Sequence, residues 1–267
     1  MKKKNPKANK DTNPMLIEER RQHVLAIIRR EGRVLVSELS DSLGISRITI
    51  RKDLDHLEAR GLLQRTHGGA LAPQEGTLLD PSLQEKEHHQ VKEKQRIAEA
   101  AVKLVKEGQC ILLDSGTTTT AIARALSSFT SLTVVTNAVN IAAELRGTNF
   151  DVILTGGMLR RNSFSLVGPL AEDVLREIHA DILFLGVDGF DPQIGIMTPN
   201  VPESRVNRAM VKSARKVVAV CDSTKFNRRS LALIIPPSAV HTVITDKQIT
   251  REDEESLRNS GIELILV

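Results

Sequence analysis

The first regular pattern along the chain is helical. Ile17, Val24 and Ile28 recur at the spacing of one helix face and predict a helix over residues 17–30, with a stop near Gly32. Further regularly patterned segments follow this helix within the basic first 72 residues. It is therefore expected to be the first element of an amino-terminal domain.

Two further helices and a hairpin follow at short intervals. Hydroxyl caps at Ser37 and Ser46 predict helices over 37–43 and 46–60, with a glycine stop between them. Alternating residues and paired glycines at 63–71 then predict a short β-hairpin, or wing. Three helices and a wing form a complete small domain.

Beyond about residue 82, continuous apolar strands alternate with helices. The predicted strands are 110–113, 132–136, 152–154, 182–187, 217–221, 240–245 and 263–267. The predicted helices are 92–107, 117–126, 138–145, 170–178, 204–214 and one from about 250. Strands that are apolar throughout and separated by helices indicate a parallel sheet covered on both faces.

Charge is concentrated in the amino-terminal part. Residues 1–72 hold 15 Lys and Arg against 9 Asp and Glu, whereas residues 73–267 hold 22 against 24. A basic head on a near-neutral body favours polyanion binding by the head, although a solvated basic tail would also give this surplus. The predicted organisation is a basic disordered arm at 1–14, a head at 15–72, a linker at 73–82 and a body at 83–267.

Composition excludes several functional classes. Aromatic residues make up 2% of the chain, which argues against base stacking on single-stranded nucleic acid. No apolar run has the length of a membrane span or a signal peptide, so we expect a cytoplasmic protein without membrane contact. Cys110 and Cys221 lie in or beside apolar runs and indicate reduced core thiols. The seven histidines lack metal-ligand spacing, so neither a metal nor a cofactor is expected.

The third predicted helix has the chemistry of a DNA-reading helix. Ile50, Leu54 and Leu57 form its buried face, while polar and basic residues gather at its amino-terminal end. The two helices within 36–55 resemble a helix-turn-helix, whose second helix enters the major groove of duplex DNA; a solvated basic face is the alternative. The predicted DNA contacts, wing included, are Ser46, Arg47, Thr49, Arg51, Lys52, Arg65 and His67.

Polar segments follow five of the predicted strands. The first contains Asp114 and a run of hydroxyls at a helix start, where free N–H groups and the helix dipole favour a phosphate. Because the carboxyl ends of parallel strands line one crevice, the five segments predict a ligand cleft; helix caps and turns are the alternative. Asn137 and Asp188 suit sugar hydroxyls, basic residues suit a phosphate, and no nucleotide-binding glycine motif occurs. The predicted effector-binding residues are Asp114, Ser115, Gly116, Thr117, Thr118, Thr119, Asn137, Gly156, Gly157, Arg160, Asp188, Glu203, Arg208 and Lys225.

These motifs resemble one known family. The run ISRITIRKDL and the wing HGGA resemble the winged helix-turn-helix of the DeoR family of bacterial sugar-metabolism repressors. In the body, the same family is resembled by LDSGTTT, VVTNA, LTGGMLRR, SLVGPLAE, FLGVDGF and VCDSTKF. The combination of FLGVDGFD, IMTPNVPESRVNR and CDSTKFNRRSL looks nearest to repressors of N-acetylgalactosamine and galactosamine use. One stretch departs from the family pattern, since Pro199-Asn200-Val201-Pro202 stands where a more polar run is expected.

The resemblance implies an α/β fold class with two parts. A small winged helix-turn-helix domain would precede a parallel-sheet sensor domain similar to ribose-5-phosphate isomerase and glucosamine-6-phosphate deaminase. The implied function is repression of a sugar operon, here of an amino sugar, with release from double-stranded operator DNA by a phosphorylated sugar. Pairing of heads on half-sites implies a homo-oligomer, either a dimer or a tetramer.

A second function uses the same cleft. A sugar-phosphate isomerase or deaminase with an accessory DNA-binding head would need a general base, for which Asp188, Asp191 and Glu203 are candidates. The complete head with its own basic surplus favours the regulator. We therefore expect no catalytic residue and no enzyme activity.

Overall fold

The computed structural model describes residues 16–59, 62–66, 68–71, 77–78 and 80–267. Its contacts divide the chain into two compact units, Met1–Gln74 and Glu75–Val267. The arm predicted at 1–14 and most of the linker predicted at 73–82 lie outside the described residues. Within the described ranges, no helix is long and apolar enough to cross a membrane.

The amino-terminal unit is a three-helix head closed by a small antiparallel sheet. Its elements are α1 (Ile17–Glu31), β1 (Arg33–Leu35), α2 (Val36–Leu43), α3 (Arg47–Ala59), β2 (Gln64–Arg65) and β3 (Gly69–Leu71). The strand order is β1-β3-β2, and both pairings are antiparallel. One core, containing Val24, Ile28, Leu39, Ile50 and Leu54, joins the three helices. The predicted helices and wing are confirmed.

Short-range signals fix the helix ends in the head. Gly32 and Gly44 take the left-handed conformation, with φ of 74° and 66°, and end α1 and α2. Ser46 starts α3 as predicted, because its hydroxyl accepts a hydrogen bond from a first-turn N–H at 3.2 Å. The predicted cap at Ser37 is wrong: β1 runs directly into α2, so Leu35 holds the cap position without a side-chain bond.

The carboxy-terminal unit is an α/β domain. Its strands are β4 (Cys110–Leu113), β5 (Thr133–Thr136), β6 (Asp151–Leu154), β7 (Met158–Arg160), β8 (Ser165–Val167), β9 (Ala180–Gly186), β10 (Gly189–Asp191), β11 (Gly195–Thr198), β12 (Ala214–Val220), β13 (Ala232–Ile235), β14 (Thr242–Thr245) and β15 (Glu263–Leu266). Its helices are α4 (Leu83–Glu87), α5 (Val91–Val102), α6 (Thr117–Ala125), α7 (Val139–Glu144), α8 (Pro169–Arg176), α9 (Val201–Lys212) and α10 (Arg251–Asn259).

A seven-stranded parallel sheet, in the order β15-β14-β12-β9-β4-β5-β6, is the centre of this domain. Consecutive residues of β4 point to opposite faces, as strand geometry requires. Ile111 packs with Ile97 of α5 and Ile122 of α6, whereas Leu112 packs in a separate core with Val206 of α9. The prediction of a parallel sheet covered on both faces is confirmed.

Several short elements were not predicted. Strands β7 and β8 form an antiparallel hairpin, and β10, β11 and β13 form a second antiparallel sheet. Helix α4 has only five residues and precedes the first predicted helix of the domain. Strands β7, β8 and β10 have three residues each, too few to show the pattern that identifies a strand.

Candidate functional sites

The start of α3 presents a positively charged surface. Arg47, Arg51 and Lys52 are exposed, and none of them forms an ion pair or hydrogen bond with a residue that the structure describes. The hydroxyls of Ser46 and Thr49 bond each other at 2.9 Å. Unpaired basic groups at the exposed start of a helix suit phosphates and the acceptor edges of guanine.

Ile48 lies in this surface and is absent from the predicted contacts. Its side chain is 67% exposed, between Arg47 and Thr49 along the chain. An exposed aliphatic side chain on such a helix can contact the methyl group of thymine. The sequence could have indicated this exposure, because Ile48 does not share the helical spacing of the buried residues of α3.

An ion-pair cluster orients α3 on α1. Asp53 is only 2% exposed and contacts Arg20 Nε at 2.5 Å and Arg21 Nε at 3.1 Å. Because the two arginines bind different oxygens of the carboxylate, the rotation of α3 about its axis is fixed. Asp53 therefore positions the basic surface.

Arg65 holds the wing together. Its Nε donates to Asp55 Oδ1 of α3 at 2.9 Å, its Nη1 donates to the Gly69 carbonyl, and its backbone N–H donates to Glu58 Oε1 at 2.8 Å. The predicted DNA contact at Arg65 thus has partners in the head itself. His67, the other wing prediction, lies outside the described residues.

In the α/β domain, Asp114 is a buried carboxyl at the end of β4. Its Oδ2 accepts hydrogen bonds from Gly186 N at 3.2 Å and from Asn207 Nδ2 at 3.0 Å. Its Oδ1 is buried without a hydrogen-bond partner among the described residues. Burial raises the pKa of this carboxyl well above its usual value, and the charges of Glu203 and Asp188 raise it further. The protonated form, which can donate to a ligand, is thereby favoured.

Glu203 lies in the first turn of α9 within a ring of donors. Its Oε1 accepts from Ser165 Oγ at 2.8 Å, from Arg160 Nη1 at 3.1 Å and from the Ser163 hydroxyl. The Pro-Asn-Val-Pro run that departs from the family pattern starts this helix, because Asn200 Oδ1 accepts the Glu203 N–H at 3.0 Å. The departure therefore positions Glu203 instead of removing it from the cleft.

Asp188 follows β9 and is ion-paired. Its Oδ1 lies 2.6 Å from Lys86 Nζ, and its Oδ2 accepts a hydrogen bond from Thr198 Oγ1 at 3.1 Å. Burial raises the pKa of this carboxyl, but the charges of Lys86 and Lys225 and the two hydrogen bonds outweigh burial, so the pKa lies below its usual value. The ionised form is favoured.

Arg160 lies between two carboxylates. One guanidinium nitrogen contacts Glu203, and the other contacts Asp80. Asp80 and Lys86 both belong to residues 80–90, which we name the connector segment because it leads from the amino-terminal unit into the α/β domain. Neither residue was predicted to reach the cleft.

Residues 115–119 carry the chain from β4 into α6. Gly116 is the cap residue, with φ of 153°, and its carbonyl accepts the hydroxyl of Thr119 at 3.0 Å. Thr118 and Thr119 are buried, whereas Ser115 and Thr117 are half-buried. The first-turn N–H groups have no acceptor within the helix, so they and the half-buried hydroxyls suit an anion.

Asn137 and the paired glycines lie at the next two strand ends. Asn137 is buried, and its Oδ1 has no hydrogen-bond partner among the described residues. Gly156 and Gly157 have φ of 75° and 117°, and a Cβ on Gly157 would lie 2.7 Å from the Val167 carbonyl. The glycines therefore shape the backbone beside the cleft.

Arg208 is held away from the other predicted residues. Its Nη1 donates to the Leu233 carbonyl at 2.9 Å and its Nη2 donates to Ser204 Oγ at 3.1 Å. Among the described residues, it has no contact with another predicted effector residue. The Lys225 ammonium forms no hydrogen bond or ion pair with a described residue, but its charge acts on both Asp188 and Lys94.

Fold and sites together define a winged-helix protein with an α/β ligand-sensing domain. The DeoR-like helix-turn-helix domain matches residues 20–75, and the DeoR C terminal sensor domain matches residues 89–247. The chain therefore belongs to the DeoR family.

Full-length relatives agree with this assignment. The chain is 41% identical over 251 residues to a putative aga operon transcriptional repressor of Escherichia coli O157:H7, covering 93% of each chain. It is 37% identical to the HTH-type transcriptional regulator GlpR of Haloferax volcanii, covering 94% of this chain and 98% of the relative.

Among solved structures, a ribose 5-phosphate isomerase of Methanocaldococcus jannaschii overlaps in part, with a TM-score of 0.38, 18% identity, and coverage of 50% of this chain and 53% of that one.

Proposed function

We propose that this protein is a transcriptional repressor of a sugar catabolic operon, and that a phosphorylated sugar bound in the α/β domain releases it from operator DNA. The relatives named above are a repressor and a regulator of transcription. The aga operon named for one of them supports an amino sugar as the regulated substrate. As a regulator of this kind, the protein would act in the cytoplasm, where bacterial DNA lies.

The observation that carries the DNA-binding part is the free basic surface of α3. Arg47, Arg51 and Lys52 lie unpaired at its exposed start, while Asp53 fixes the helix from its buried side. Unpaired charge costs stability on an isolated helix but supports binding to phosphates and bases. We assign DNA contacts to these three residues together with Ser46, Thr49 and His67, and a wing-supporting role to Arg65.

The strand-end cleft supports the effector part. We propose that the phosphate binds the first turn of α6 at 115–119, and that Lys225 closes the site over it. Hydroxyls of the sugar would meet Asn137, Asp188 and Glu203, while Asp114 donates from its protonated Oδ1. Asn137 and Asp114 each hold a buried oxygen without a partner in the described structure, as expected of groups that await a ligand.

The remaining predicted effector residues take indirect roles in this proposal. Arg160 positions Glu203 through the contact at 3.1 Å. Gly157 gives the backbone its close approach to β8, and Gly156 supplies the positive φ that precedes it. Arg208 joins α9 to β13 and is not proposed to touch the effector.

The carboxylate environments favour binding over catalysis. Asp188 is ion-paired with Lys86, Glu203 accepts three donors at one oxygen, and Asp191 accepts two backbone N–H groups and Arg229 Nε. A general base needs a free lone pair directed at the substrate proton. We therefore propose a regulator without enzymatic turnover.

We also propose that the domains are those predicted from the sequence, and that the protein acts as a homo-oligomer. A single winged head reads few base pairs, so two or more heads on half-sites would supply the specificity of an operator. Light scattering of the protein, free and with DNA, measures this directly.

Selection of bound duplexes from a random DNA library tests the proposed function. The protein should enrich one sequence, called the selected duplex below. The R47A/R51A variant should lose affinity for it by about 1–3 kcal/mol for each base-contacting arginine. A control variant with the same charge change, R251A/R258A, removes two arginines of α10 that form surface ion pairs and should bind as the wild type does. Wild-type affinity in R47A/R51A would contradict the assignment.

A sugar-phosphate screen tests the effector part. Galactosamine 6-phosphate, glucosamine 6-phosphate and ribose 5-phosphate are compared by the rise in melting temperature, because a ligand of the folded state stabilises it. At least one should raise the melting temperature without being turned over. Turnover of any of them would favour the alternative function, a sugar-phosphate isomerase or deaminase.

A further inference from the structure

The connector segment, residues 80–90, makes ion pairs with charged groups of the effector cleft. It begins six residues after the amino-terminal unit ends at Gln74. Two of its charged contacts, Asp80 with Arg160 and Lys86 with Asp188, cross 80 and 102 residues of sequence. The stretch of chain that leads away from the DNA-binding head therefore touches the groups proposed to meet the sugar.

The first contact links the connector segment to Glu203. Arg160 donates to Asp80 through one nitrogen and to Glu203 through the other, at 3.1 Å. Asn162 adds a hydrogen bond to the Asp80 carbonyl at 3.2 Å, and its own carbonyl accepts the Leu83 N–H at 2.7 Å. One face of the connector segment is thus bonded to the β7–β8 hairpin that supports Glu203.

The second contact occupies Asp188. Lys86 Nζ lies 2.6 Å from its Oδ1, and Thr198 takes its Oδ2 at 3.1 Å. A sugar hydroxyl that bonds Asp188 in the in-plane direction of Oδ1 would meet the Lys86 ammonium there. A hydroxyl approaching along the lone pair that Lys86 uses would have to displace its ammonium.

A buried lysine shapes the segment around Lys86. Lys94 of α5 is 6% exposed, and its ammonium donates to the carbonyls of Lys86 and His89. Burial lowers its pKa to about 8, and Asp222 opposes this shift. Lys94 thus ties the end of the connector segment to α5, and the charges of Asp222 and Lys225 both act on it.

We propose that the connector segment is a built-in competitor of the effector. With the cleft empty of sugar, Asp80 and Lys86 hold Arg160 and Asp188 and keep the segment docked, and this docked state is the one that binds operator. A sugar phosphate that takes Asp188 and Glu203 displaces Lys86 and weakens the Arg160–Asp80 pair, so the segment detaches. This inference rests on the proposed function and specifies how its cleft controls the head.

The competition has a distinctive thermodynamic consequence. Removing the competitor strengthens effector binding, because no internal ion pair has to be broken first. The same change weakens operator binding without effector, because the docked state is less populated. Breaking ion pairs that only hold the fold together would not strengthen effector binding while weakening operator binding.

The variant D80N/K86M tests this, since it removes both ion pairs and leaves net charge unchanged. The control is E93Q/R96M, which breaks a surface ion pair of α5 with the same charge changes. Each full-length protein is titrated with the selected duplex and, separately, with galactosamine 6-phosphate. D80N/K86M should bind the duplex about 5- to 150-fold more weakly, and the sugar phosphate more tightly, within the usual range of allosteric coupling. The control should match the wild type in both.

Equal or weaker sugar-phosphate binding by D80N/K86M, or unchanged duplex binding, would overturn the competition while the wild-type titrations still support the repressor. A wild type that binds neither probe overturns the proposed function, and the competition with it. If D80N/K86M does not fold, hydrogen exchange of the wild-type protein tests the proposal without a variant. Galactosamine 6-phosphate should accelerate amide exchange at 83–90, and unchanged or slower exchange there would overturn the proposal.

Discussion

At the scale of single residues, the cleft depends on how burial and neighbouring charge set the protonation of its carboxyls. Asp114 and Asp188 both follow central strands of the sheet, yet their pKa values move in opposite directions. Asp114 has amide donors at one oxygen and no partner among the described residues at the other, whereas the charges of two lysines act on Asp188. These opposite shifts suit Asp114 to donate to a ligand and Asp188 to accept from one.

The variant D114N tests the protonated state of Asp114. The folded-state pKa is raised above 3.8, so the folded protein holds the proton more tightly than the unfolded chain does. The wild type should therefore lose stability relative to D114N as pH rises from about 4 toward the folded pKa. The loss is about 1.4 kcal/mol for each pH unit in which only the unfolded state is ionised.

Urea unfolding of both proteins at pH 5 and at pH 7.5 measures this difference. The exposed Asp151 supplies a control, since D151N makes the same chemical change on the surface of the same domain. A stability difference between the wild type and D114N that stays constant over this range would show that Asp114 is ionised in the folded protein.

At the scale of secondary-structure elements, the wing requires a glycine at one position. Strand β3 pairs with β1, and a Cβ on Gly69 would lie 1.9 Å from the Val34 carbonyl oxygen. The G69A variant should therefore separate β3 from β1 and destabilise the head by about 1–3 kcal/mol, as overpacking usually does. It should also weaken binding to the selected duplex.

The neighbouring glycine provides a matched control. A Cβ on Gly68 meets nothing within 4 Å, so G68A should be tolerated. Thermal unfolding of the two variants compares identical substitutions one residue apart. Equal melting temperatures for G69A and G68A would mean that the β1–β3 pairing is looser than described.

Elements with a strong local signal could be predicted from the sequence. The apolar strands of the parallel sheet, such as Cys110–Leu113, and the helices of the head follow from periodicity, caps and glycine stops. The antiparallel pieces could not be predicted, because β7, β8 and β10 have three residues each and gain their stability from strands distant in sequence. The Ser37 cap failed for a related reason, since a strand pairing overrode a local preference.

At the scale of the whole molecule, the residues of the candidate sites also divide into those that the sequence could predict and those that it could not. Strand-end residues such as Asp114 and Asp188 could be predicted, because parallel topology collects the ends of its strands. Asn207, Ser165, Asp80 and Lys86 could not, because their contacts with the cleft cross between 38 and 102 residues of sequence. The contacts of Asp80 and Lys86 join the cleft to the connector segment, which follows the head along the chain.

The central claim is that the head and the cleft are coupled, so that effector and operator oppose each other. The most direct test measures the affinity of the wild-type protein for the selected duplex across a titration of galactosamine 6-phosphate. The affinity should fall to a plateau about 5- to 150-fold lower, and the duplex should weaken sugar-phosphate binding by the same factor. Sugar-phosphate binding that leaves the duplex affinity unchanged at saturation would contradict the account.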